Sequence, residues 1–296
     1  MKQIIDIADL DVIFLTFDEP KADENWIRIQ QIVPWAKRVD GVKGSDAAHK
    51  AAASASTTDR FILIDGDNMP YPSFFSQQLV LDDTNRDCVF RWKARNAING
   101  LCYGNGGLSC WTKEFVQNMK THEAADGAFP ESEVEFCWEP NYWAMHDCYS
   151  TTNPNGDEFQ AWRSGFREGV KLCLDRGVKP TLEEFEKRVH PRNYENLSIW
   201  HNVGRDVMYG DWAISGARMG TWATMLTTWD YRLVHDFMEI KALWDLHQDA
   251  RSHSATVDAA LRFKLGLDIV VMDAIQSSFF KRHTPIYQNK GIMVRE

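Results

Sequence analysis

The sequence predicts an α/β fold: a mixed sheet flanked by helices, followed by a mostly helical extension. Three observations carry this. The run Phe61-Ile-Leu-Ile64, bounded by Arg60 and an acidic turn, reads as a strand buried on both faces, as parallel strands are. Upstream of it, strand-like and helical patterns alternate, the order expected of βαβ units. After Gly177-Val-Lys-Pro180 the pattern changes, and helical repeats dominate to residue 296. A sheet domain over 1–176 and a helical extension over 177–296 follow.

Taken in order, residues 11–17 (Asp-Val-Ile-Phe-Leu-Thr-Phe) form the first buried strand, and Asp18-Glu19-Pro20 the loop after it. A helix begins near Glu24, with Trp26, Ile29 and Ile32 on one face, and Pro34 ends it. Residues 36–39 make a short second strand, and Asp40-Gly-Val-Lys-Gly44 a loop. Ser45 caps an alanine-rich helix over 46–55 that can pack closely on the sheet. Residues 88–95 read as a further strand, followed by Gly104-Asn-Gly-Gly107 as a turn before a strand at 108–111. Phe159, Trp162, Phe166 and Val170 share a helical face led by Asp157 and Glu158. Thr181-Leu-Glu-Glu184 is a capping box, and residues 229–247 and 257–280 read as helices.

Composition narrows the function. The chain has 296 residues, enough for a substantial core, and a formal net charge of −9, which argues against a generally adhesive nucleic-acid binder. A polyanionic partner would have to be met by a local basic cleft. The six cysteines include no Cys-x-x-Cys pair and no zinc-like spacing, so reduced, packed thiols are expected. Asp6, Asp9 and Asp11 interrupt the first apolar stretch, so neither a signal peptide nor a membrane span fits, and a cytoplasmic location is expected.

The chemistry concentrates at Asp65-Gly-Asp67, delivered at the carboxyl end of a strand, where open α/β sheets bind ligands. Two carboxylates there can hold one hard divalent cation and leave positions for water and phosphate oxygens. The same three residues also suit an ordinary acidic turn. Lys43 and the start of the helix at 45 would attract phosphate, or be a solvated loop lysine and a helix end. Asp157 and Glu158 are explained by capping alone; Arg205 and Arg218 stand in stretches that mix aromatics, glycines and arginines more than a plain helix would.

The succession of strand, Asp-Glu-Pro loop, strand, Gly41-Val-Lys-Gly-Ser45 loop, alanine-rich helix and Asp65-Gly-Asp67 resembles the nucleotide-sugar half of GT-A glycosyltransferases, over about residues 11–175. The resemblance makes Asp65 and Asp67 a DxD pair holding Mn²⁺ or Mg²⁺ against the donor diphosphate. It places Phe17, Asp18, Glu19, Asp40, Lys43, Asp46 and His49 around the nucleotide, and Gly106 and Gly107 against the donor sugar. Asp157, with Glu158 behind it, matches the acidic position that supplies a catalytic base in inverting members or contacts the donor sugar in retaining ones. Pro34-Trp-Ala-Lys-Arg38 and the run Trp212-Ala-Ile-Ser-Gly-Ala-Arg218 are most similar to enzymes of tailed bacteriophages. Some of these place sugars on hydroxymethylcytosine in phage DNA. The resemblance thus implies transfer of a pentose such as arabinose, or a hexose such as glucose, from a UDP-sugar to modified DNA in the host cytoplasm, with Arg205 and Arg218 on the acceptor side. A protein or glycan acceptor, a non-catalytic nucleotide-sugar-binding module, and metal-dependent phosphate hydrolysis are the alternatives.

Overall fold

The computed structural model describes residues 2–124, 130–248, 254–270 and 272–283. The described residues divide into two compact units, one holding those up to Ala124 together with Cys137–Asn153, the other holding 130–136 and those from Pro154 onward.

In the first unit, β1 (Gln3–Asp6) precedes β2 (Asp11–Thr16), α1 (Ala22–Ile32), β3 (Lys37–Asp40), α2 (Ser45–Ala55), β4 (Arg60–Asp65), β5 (Asn68–Pro70), β6 (Gln78–Leu81), β7 (Val89–Asn96), β8 (Cys102–Thr112), α3 (Lys113–Asn118) and β9 (Tyr142–Thr152). Seven strands make one mixed sheet in the order β3-β2-β4-β8-β7-β9-β5. Strands β3, β2 and β4 are parallel, with Leu15 opposite Asp65 and Thr16 opposite Asp40, so Thr16, Asp40 and Asp65 reach one edge together. As the apolar run requires, Phe61, Ile62, Leu63 and Ile64 are all buried. Ile62 and Ile64 join Val12, Phe14, Phe90 and Trp92 in a core closed by Phe74 and Ile29. Strands β1 and β6 form a separate antiparallel pair that the sequence reading does not anticipate.

The sheet curls. In a flat sheet β5 would lie four strand spacings from β4, roughly 19 Å away. The three residue steps from Asp65 to Asn68 span at most about 11 Å. The far edge therefore returns toward β4, and β5 contacts both β4 and β8. Asp65-Gly66-Asp67 is the link across that closure.

The second unit holds α4 (Glu158–Lys171), α5 (Phe185–Arg188), α6 (Pro191–Asn202), α7 (Gly210–Leu226), α8 (Phe237–His247), α9 (Ser254–Leu265) and α10 (Ala274–His283). It begins at Pro154, ahead of the expected change after residue 176, because α4 packs on α7. Residues 229–247 and 257–280 are not continuous helices: Tyr231–His235 is a separate 3-10 turn, and the chain leaves helix after Leu265, where Gly266 has φ +66°.

Inside this unit His201 is fully buried, with Nε2 2.9 Å from Thr221 Oγ1. Burial, then the Arg218 charge, pushes its imidazole down from 6.5 to about 3. Between those values the unfolded chain binds a proton that the folded chain refuses, so stability falls as pH drops below 6.5. Going from pH 7 to pH 5 is expected to remove about 2 kcal/mol through this group. Urea unfolding of wild type and His201→Gln at the two pH values checks this; an equal pH slope in both proteins would contradict it.

Candidate functional site

Asp65 ends β4, exposed at the carboxyl edge of the parallel strands. Its surroundings are crowded. An ideal Cβ at Gly107 would stand 2.7 Å from Asp65 Oδ2, and one at Gly66 would stand 2.7 Å from Glu19 Oε2. Both positions accept only glycine without displacing a carboxylate. Enclosure by protein, then Asp67, then Glu19, pushes the Asp65 carboxyl up to about 8, although its exposed face lets water screen part of that effect. Asp67 accepts a hydrogen bond from Thr152 Oγ1 at 3.3 Å, and its carbonyl accepts one from the Asn153 N–H at 2.8 Å, which fastens it to the returning edge of the sheet.

Two features behind this cluster escape the sequence reading. Asn25, buried on α1, donates through Nδ2 to the Gly66 carbonyl at 2.8 Å and so holds the turn between the aspartates. A buried asparagine on an otherwise apolar helix face is the signal that could have identified it. The second is a bulge. While β7 advances from Trp92 to Ala94, β8 runs from Leu108 to Tyr103, and the surplus residues swell out of the ladder. The run from Gly104 to Gly107, expected as a turn before a strand, is this bulge within β8, with φ +66° at Gly104 and +76° at Gly107. Gly107 meets Asp65; for Gly106 the description extends only to its place in β8.

The nucleotide-side residues separate into exposed and engaged groups. Phe17 is 47% exposed at the end of β2, and Asp18 and Lys43 are exposed. The Phe17 N–H donates to Glu19 Oε2 at 2.9 Å. Asp40 accepts from Thr16 Oγ1 and, at 3.1 Å, from Arg38; the Thr16 bond first, then the guanidinium, lowers its pKa. Asp46 pairs with Lys50 at 2.7 Å. His49 places Nδ1 2.7 Å from the Ser45 carbonyl and packs edge-on against Trp111, and burial lowers its pKa.

The helix start expected to receive phosphate already has an anion. Glu123 Oε1 accepts from the Ser45 N–H at 2.6 Å and from Ser45 Oγ at 2.9 Å, and Oε2 accepts from the Asp46 N–H at 3.2 Å. Ser45 is the first helical residue, and Gly44, at φ +92°, takes the cap position assigned to it. A side-chain carboxylate uses the same exposed amides and dipole that a phosphate would.

In the helical unit Asp157 is the N-cap of α4, accepting from the Gln160 N–H at 2.7 Å, while Gln160 Oε1 accepts from the Gly156 N–H at 2.7 Å. Glu158 is exposed in the first turn. Arg218 corrects the acceptor-side expectation. It is 7% exposed, and it donates to the His201 carbonyl at 2.9 and 2.7 Å, to the Val270 carbonyl at 3.1 Å and to Asp258 at 2.8 Å. A guanidinium with its donors spent on buried acceptors is a structural strut. Arg205 pairs with Asp211 and donates to the Met272 carbonyl at 3.4 Å.

Among the described residues no group of three or more His, Cys, Asp or Glu side chains is arranged to hold a metal ion. The donor set at Asp65 and Asp67 nonetheless fits a hard cation, because Mg²⁺-type sites commonly use one or two protein carboxylates and complete their shell with water and substrate phosphate. Also among the described residues, no helix is long and apolar enough to cross a membrane. The fold and site define an α/β protein with acidic side chains gathered at the carboxyl edge of its parallel strands. No protein-family model, curated protein or solved structure matches the chain.

Proposed function

We propose that this chain is a metal-dependent glycosyltransferase that takes its sugar from a nucleoside-diphosphate sugar, UDP-linked by the resemblance above. The observation that carries the reading is the gathering of Asp65, Asp67 and Glu19 at the carboxyl edge, where Gly107 of the bulge packs directly against Asp65. A bound Mn²⁺ or Mg²⁺ would offset the negative charge that develops on the leaving nucleoside diphosphate. Asp65 and Asp67 would hold that ion. The exposed Phe17 ring offers an apolar face for the base, and Asp40, fixed by Thr16 and Arg38, an acceptor for ribose hydroxyls.

The acceptor we propose is hydroxymethylcytosine in DNA, a choice supported by the resemblance alone now that Arg218 is committed to internal bonds. Metal-dependent phosphate hydrolysis is the second reading: the Glu19 charge acts on Asp65, but among the described residues no three such side chains are arranged around one ion. Incubation with Mn²⁺, a panel of nucleotide sugars, and hydroxymethylated or plain DNA, followed by nucleoside mass spectrometry and phosphate assay, tests both. A sugar adduct on the modified base is expected. Inorganic phosphate without transfer would favour the hydrolase, and donor binding with neither product a non-catalytic module.

A further inference from the structure

Cys102 opens β8 opposite Arg95 of β7, and Cys148 lies in β9 opposite Lys93. Lys93 and Arg95 lie two residues apart on β7, so the two cysteines flank the same short stretch of that strand from either side. In a regular sheet a whole strand would separate them. Here β8 bulges just beyond Cys102, and β9 runs from Ala144 to Cys148 while β7 goes only from Arg91 to Lys93. The irregularities bring the flanking strands together, and the two side chains share a hydrogen bond.

The two sulfurs differ. Cys102 is 5% exposed, whereas Cys148 is half-buried and reachable from solvent. The bond from Cys102, against the effect of burial and with help from the Arg95 charge, holds the Cys148 thiol below its ordinary range, while Cys102 is pushed up. Burial raises Cys88, Cys110, Cys137 and Cys173. Thiolate character with access is what makes a cysteine reactive.

We propose that Cys102 and Cys148 form a redox modification site, Cys148 reacting with a hydroperoxide and Cys102 closing a disulfide. The Cys148 thiolate attacks one peroxide oxygen; an S–O bond forms, the O–O bond breaks, and the departing hydroxide takes up a proton as water. Cys102 sulfur then attacks Cys148 sulfur; the S–S bond forms, the S–O bond breaks, and a second water leaves with the Cys102 proton. Two thiols lose two electrons and the peroxide gains them. This inference does not depend on the sugar-transfer reading.

Reduced full-length protein treated with one equivalent of hydrogen peroxide, then alkylated and mapped without reductant, gives the test. Two of the six thiols should disappear, with a cross-linked peptide pair containing Cys102 and Cys148. Iodoacetamide at pH 7 should label Cys148 about tenfold faster than any other cysteine. Cys102→Ser should stop at a dimedone-trappable sulfenic acid on Cys148, and Cys148→Ser should consume no peroxide at the wild-type rate. A wild-type map lacking this cross-link, thiol loss beginning elsewhere, or peroxide consumption unchanged in Cys148→Ser would overturn the proposal. The wild-type map requires no variant to fold.

Discussion

Replacing Asp65 or Asp67 by Ala is expected to lower sugar transfer on the order of 10²–10³-fold, the usual consequence of removing preorganised stabilisation of a leaving group. Stability should move the other way or not at all. In the absence of a cation, enclosure and the charges of Asp67 and Glu19 all oppose ionised Asp65, so Asp65→Asn relieves a conflict in the folded state. Thermal melts with and without Mn²⁺ separate the two effects: metal should raise the wild-type midpoint and leave both variants unchanged. Chelation should abolish wild-type transfer. Retained Mn²⁺ stabilisation and normal turnover in both variants would remove the DxD assignment.

Much of the parallel half was legible because its signals are local. Phe61-Ile-Leu-Ile64 needs no partner information to read as a doubly buried strand, and the alanines of α2 mark a helix lying flat on a sheet. What escaped is non-local. Glu123 reaches the start of α2 from 78 residues away, and no pattern near Ser45 announces that its amides are already occupied. The three-residue β5 pairs with β9 some 80 residues later, so the curl that brings the far edge back beside Asp65 and Asp67 is set by a contact no window could contain.

Arg218 illustrates the same limit in the helical unit. Among small residues of α7 it reads as a surface cation, yet its partners His201, Val270 and Asp258 arrive from three other segments and bury it. Residues near the site divide similarly. Glu19 was visible in the Asp-Glu-Pro loop, whereas Asn25, which holds Gly66, gained meaning only once α1 was seen against that turn.

One local signal was present and unread: Gly165-x-x-x-Gly169 on α4 and Gly216-x-x-x-Gly220 on α7. An ideal Cβ would lie 1.9 Å from the Ala213 carbonyl at Gly165 and 2.2 Å from that of Ala217 at Gly169. On the other helix it would lie 2.0 Å from the Trp162 carbonyl at Gly216 and 2.2 Å from that of Phe166 at Gly220. Backbone meets backbone along two helical turns. Ordinary C···O contacts need roughly 3.3 Å or more, so even one methyl must drive the helices apart by about 1 Å. That gap forfeits a quarter to a half of the dispersion energy of the contacts it opens, here involving buried Trp162, Phe166, Ala213 and Ala217. Helix propensity pulls the opposite way, since Gly→Ala in a helix interior gains about 1 kcal/mol. Overpacking of about 1–3 kcal/mol per site, and more where backbone is the obstacle, should win. We expect Gly216→Ala to destabilise the helical unit despite its better propensity, Gly165→Ala with Gly216→Ala to be non-additive because the sites share one interface, and Gly216→Leu to prevent its folding. Urea unfolding, with hydrogen exchange reporting on α4 and α7, gives the measurement; a rise in stability for Gly216→Ala would mean the helices do not approach this closely.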